Sequence, residues 1–238
     1  MRYISNVLKS RNDYSSYLVH LTKDSEDGKS AKKVLHEILN GMKLKCGKKP
    51  VSAASFQVSY SKISSNSIER KEYFNATCFT ETPINELHCF FEINDKSNDY
   101  KPYGLVFHKD PLRDRGVSPA IYLNNYTKEQ TKLLSDLSNC LISNHDAAKS
   151  ILPLITTFGH KVDVVNSPPS EGIVDFIWER EWRFPFSKGD FKFELDDIYL
   201  GLCPNDKIDE FELEYPGLSF IDPYRNINFY QNKLNQIS

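Results

Sequence analysis

Short runs of alternating apolar and polar residues outnumber helical-period runs along this chain, and their order restricts the fold. A strand pattern at 17–22 comes first. A helical stretch follows, capped at Ser30, with Ala31, Val34, Leu35, Ile38 and Leu39 at spacings of three and four, and it stops at Gly41. Further strands are predicted at 73–80, 103–108, 120–123, 162–165, 177–184, 191–195, 198–202 and 218–221. Helices are predicted over about 128–142 and 147–158, over 204–211, and in a short piece that Thr82 caps and Pro83 begins. Strand, helix, then many strands with a helical insert argue for an α+β fold. A single domain over 1–238 is expected, with a long polar loop at 45–72 and a helical insert at 127–158.

Composition removes several functions. With only 10 glycines and no glycine-rich turn, phosphate-cradling loops are excluded. No Gly-x-Ser-x-Gly elbow is present, which disfavours a serine hydrolase. The six histidines stand too far apart for local metal-ligand spacings, so no metal is expected. The five cysteines form no Cys-x-x-Cys pair, and the polar start has no apolar signal core. A reduced cytoplasm is the expected location. No apolar run approaches the roughly 18 residues of a membrane span.

Charge is uneven. Lys29, Lys32, Lys33, Lys43, Lys45, Lys48 and Lys49 share residues 29–49 with one acid, Glu37. Such a stretch suits a phosphate-bearing ligand or a nucleic-acid strand, or is simply a solvated helix face. Residues 190–214 reverse the balance, with nine acids against Lys192 and Lys207. That stretch is expected on a far side or against a basic partner.

Three places can carry chemistry. His20 and Thr22 share one face of the first strand. Thr80, Glu81 and Thr82 sit where a strand turns into a helix, a position that favours anions. In Trp178-Glu179-Arg180-Glu181-Trp182-Arg183, an extended chain places Glu179, Glu181 and Arg183 on one face. It places Trp178, Trp182 and Phe184 on the other, together with Arg180. A strand with one wet face looks the same, and Glu179 and Arg183 suit an i,i+4 ion pair if the segment is helical.

Taken in order, the pieces Tyr-Leu-Val-His-Leu-Thr, a helix ending Glu37-Ile38-Leu39-Asn40-Gly41-Met42-Lys43-Leu44, Cys-Phe-Thr-Glu-Thr-Pro, and Glu-Arg-Glu-Trp-Arg resemble the AbiGi-type abortive-infection family of bacterial anti-phage proteins. The layout is also similar to the ADP-ribosyltransferase superfamily. That resemblance implies split mixed and antiparallel sheets with flanking helices, and transfer of ADP-ribose from NAD to nucleic acid or protein. It makes His20 and Thr22 the NAD contact. Thr80 takes the middle hydroxyl position, with Tyr122 as a weaker candidate. Glu181 becomes the catalytic acid and Glu179 the upstream acid of the pair. The chain departs from the superfamily pattern at Glu81, where a second hydroxyl is expected. The anti-phage resemblance also implies a different reading, a non-catalytic antitoxin that binds a toxin partner. A third reading, a nuclease using Glu81, Glu179 and Glu181, has no metal spacing behind it.

Overall fold

A computed structural model describes residues 14–46, 75–92, 99–127, 144–160, 173–174 and 177–235, with scattered helical positions between 129 and 140. In chain order the strands are β1 (Tyr17–Lys23), β2 (Lys43–Leu44), β3 (Ala76–Thr80), β4 (Tyr100–His108), β5 (Ser118–Pro119), β6 (Ile121–Asn125), β7 (Ile155–His160), β8 (Ile173–Val174), β9 (Glu181–Pro185), β10 (Phe191–Lys192), β11 (Ile198–Leu202) and β12 (Phe220–Ile221). The helices are α1 (Ala31–Gly41), α2 (Cys89–Glu92), α3 (Lys109–Asp114), α4 (His145–Ile151), α5 (Ile208–Glu214) and α6 (Gln231–Leu234). The chain forms two compact units, and both are discontinuous: one from 1–43, 79–115 and 192–238, the other from 44–78 and 116–191.

The first unit is a mixed sheet with helices. β4 lies between β1 and β11 and pairs antiparallel with both. The end of β3 pairs antiparallel with β1, Val19 opposite Thr80. β12 runs parallel to β11, so the chain must cross over between them, and α5 lies in that crossover. Leu18, Leu105, Val106, Phe107, Leu200 and Phe220 are buried along these strands. Each such side chain contributes about 1.5–3 kcal/mol by leaving water. α1 buries Ala31, Leu35 and Leu39 at a spacing of four, and Ser30 accepts a hydrogen bond from the Lys33 backbone N–H. The helix ends at Gly41, as expected, and Met42 caps it in the left-handed conformation at φ 46°.

Close backbone approach dictates two glycines. A Cβ on Gly104 would run into the His20 carbonyl oxygen across the β1–β4 ladder. A Cβ on Gly201 would run into the Phe220 ring.

The second unit holds a three-stranded mixed sheet, in which β7 pairs parallel with β6 and antiparallel with β8. It also holds the antiparallel β5–β9 pair. The described residues between 129 and 140 are helical, as predicted. The helix predicted over 147–158 is corrected: α4 stops at Ile151, Leu152–Leu154 form a 3-10 turn, and Ile155 onward is strand. Pro153 cannot donate to a helix interior, and β-branched Ile155, Thr156 and Thr157 fit a parallel ladder. The 162–165 strand and nearly all of the 45–72 loop fall outside the described residues.

Candidate functional site

The strand predicted over 177–184 is two pieces. Ile177–Glu179 is a 3-10 turn, Arg180 stands at φ 47°, and β9 begins at Glu181. The left-handed residue breaks the alternation, so Glu179 does not continue the strand face of Glu181 and Arg183. Arg180 and Met42 are the non-glycine residues with positive φ among those described.

The rest of the alternation holds, and it builds an interior cluster. Arg183 is 1% exposed. Its guanidinium donates to the Glu181 carboxylate at 2.6 Å and to the carbonyls of Pro153 and Ile155 at 3.0 and 3.2 Å. One side chain thus ties β9 to the turn that leads into β7. The Tyr122 hydroxyl accepts from the Glu181 backbone N–H at 3.1 Å. Burial, opposed by that hydrogen bond, pushes the Tyr122 phenol up to about 12. Burial also pushes the Cys78 thiol well up, and the nearby Glu181 carboxylate pushes it the same way. A charged pair in such a place needs every lone pair and proton satisfied, and the carbonyls from 153 and 155 meet part of that need.

The first unit carries His20, Thr22 and Thr80. Thr22 is 3% exposed, and its hydroxyl lies 3.3 Å from the Ala31 carbonyl and 3.1 Å from the Tyr103 carbonyl. It joins β1 to the start of α1 and to β4. His20 is half-buried with its ring against the Phe79 edge. Thr80 is buried; its hydroxyl donates to the Thr82 hydroxyl at 2.8 Å and accepts from the Thr82 backbone N–H at 3.0 Å. Thr82 therefore caps no helix, and the turn that follows, Ile84–Glu86, has no side-chain cap. Glu81 pairs with the buried Lys109 at 2.5 Å, and Lys109 also donates to the Ser15 carbonyl and sits over the Tyr14 ring.

His20, Thr22 and Thr80 thus lie in one unit, and Tyr122, Glu179 and Glu181 in the other. None of the six lines the open cleft of about 570 Å³ whose walls include Lys43, Arg115, Lys192 and Glu194. The roles of Lys109 and Arg183 were hidden in the sequence. Lys109 directly follows the His108 that ends β4, but nothing local identifies Glu81 as its partner.

The basic and acidic stretches meet each other inside the first unit. Lys32 of α1 pairs with Glu210 of α5. His36 contacts the Glu214 carboxylate at 3.1 Å and the Tyr215 hydroxyl at 2.8 Å, and it stacks on Phe211 at 4.5 Å. Lys29, just before the Ser30 cap, pairs with Glu37 of α1. Asp197 is buried against Arg115, Glu212 pairs with Lys233, and both also accept backbone N–H groups. Part of the acidic stretch therefore faces the rest of the first unit, and Lys29 and Lys32 of the basic stretch are met from within. Lys48 and Lys49 lie outside the described residues.

The absence of metal spacing among the histidines hid one group. Glu86, His88 and Cys89 carry donor atoms within 4.8 Å of one another.

Arg183, Thr22 and Lys109 each join separate segments within their own unit. A family model described as "Putative abortive phage resistance protein AbiGi, antitoxin" matches residues 75–216, and the chain belongs to that family. No curated protein and no solved structure matches it. The transferase reading is thereby corrected: the family is named for an antitoxin, and the four short pieces behind the transferase layout do not outweigh a match that long. The NAD expectation came with that layout. Among the described residues, no helix is long and apolar enough to cross a membrane.

Proposed function

We propose that this chain is the antitoxin of an abortive-infection pair, a non-catalytic protein that binds a toxin protein in the cytoplasm. The match to the antitoxin family carries this reading. The inward use of Glu181, Thr22 and Thr80 supports it, since groups committed to internal contacts suit a scaffold. The transferase-like arrangement of sheets, implied by resemblance alone, enters only as that scaffold.

Exposed aromatic side chains of the first unit offer a contact surface. Phe229 is 67% exposed and Tyr224 53% exposed. The Arg225 guanidinium lies 4.7 Å from the Phe229 ring centre, and Phe91 packs against Tyr224. Aromatic residues and arginine dominate the energetic centres of protein interfaces. The test is co-purification with the protein encoded beside this chain. The wild type retains that protein, and Phe229→Ala weakens binding by about tenfold or more at unchanged melting temperature. No retention by the wild type overturns the reading. Retention unaffected by Phe229→Ala moves the contact elsewhere.

A further inference from the structure

The turn that follows β3 presents a metal-binding constellation. Ile84, Leu87 and Phe90 recur every third residue and are buried. The residues between them face away from that core, and Glu86, His88 and Cys89 come together. The His88 Nδ1 lies 3.0 Å from the Asn85 carbonyl oxygen. A carbonyl only accepts, so Nδ1 carries the proton, and this fixes the tautomer. It leaves the Nε2 lone pair available, the arrangement found behind metal-ligating histidines. Nε2 lies 3.6 Å from the Cys89 Sγ. At ordinary zinc–sulfur and zinc–nitrogen lengths, the edge between two such ligands of a tetrahedral ion is roughly 3.5 Å. That one edge already matches a zinc tetrahedron. Glu86 is exposed, so its carboxylate can turn inward to supply the third ligand.

We infer that Glu86, His88 and Cys89 form a site for a zinc ion, with the fourth position open to water or to a side chain of a bound partner. The chemistry selects the metal. Thiolate with imidazole favours zinc over magnesium or calcium, which take oxygen donors. On binding, the Cys89 S–H bond ionises, its proton goes to solvent, and the thiolate lone pair forms the bond to the metal. The zinc site does not depend on the antitoxin reading.

The test uses the full chain and cobalt(II) as a visible stand-in for zinc. Titration produces thiolate-to-cobalt charge-transfer absorption and the d–d bands of a tetrahedral ion, and added zinc bleaches both. Cys89→Ser abolishes the charge-transfer band, His88→Ala weakens binding by about tenfold or more, and Cys140→Ser leaves both unchanged. In the unmodified protein, zinc slows alkylation of Cys89 by iodoacetamide at least tenfold, read by peptide mass spectrometry, which needs no variant to fold. Absence of the charge-transfer band overturns the site, as does a band that survives Cys89→Ser. Cys89 alkylated at the same rate with and without zinc also overturns it, and leaves a thiol hydrogen-bonded to an imidazole.

Discussion

At the residue scale, the Glu181–Arg183 pair shows how far alternation can be read. Period two places both side chains on one face, and they do meet, at 2.6 Å. That they face inward and grip the carbonyls of 153 and 155 could not be read, because the partners lie about 30 residues away in sequence. Glu179 was misplaced because the φ of 47° at Arg180 has no signature in residue type. A buried pair makes a sharp mutational prediction. Arg183→Met leaves a carboxylate uncompensated and costs about 3–5 kcal/mol. Adding Glu181→Leu recovers much of that loss, because the pair itself carries a large desolvation cost. Urea unfolding of the two single variants and the double variant measures this directly. Additive losses would contradict it.

At the element scale, α1 was readable almost residue by residue, since its spacing, its Ser30 cap and its stop all act locally. β7 was not. The apolar run at 151–155 leads into it and extends the helical pattern, and parallel pairing with β6 makes Ile155 onward a strand. Removing the cap with Ser30→Ala lowers stability by about 1 kcal/mol, measured by chemical denaturation. Gly104→Ala is far more costly, because the new methyl meets the His20 carbonyl in a paired backbone that cannot give. It yields little folded protein, judged by soluble expression and circular dichroism, whereas Gly41→Ala, whose new Cβ meets only the Lys43 side chain at an ordinary 3.7 Å, stays folded.

At the scale of the whole molecule, opposite charge runs that look like two surfaces for two partners touch each other where α1 meets α5, at Lys32–Glu210 and His36–Glu214. Composition shows the runs; only the fold shows that they face each other. Buried thiols contribute to the alkaline limit. Burial pushes Cys203 from 9.0 up to about 12, and Cys78 also well above its ordinary value. The folded state holds these protons more tightly than the unfolded state. The stability they contribute is complete below about pH 9 and is lost as pH rises toward the folded values. The melting temperature therefore falls between pH 9 and 11, and Cys203→Ala flattens that fall. Partner neutralisation is the central function we propose, on the strength of membership of the antitoxin family. Its most direct measurement is growth during controlled expression of the protein encoded beside this chain, with and without the chain itself. Growth arrested by the neighbour alone and restored by co-expression is the predicted result. Arrest caused by this chain expressed alone would contradict it.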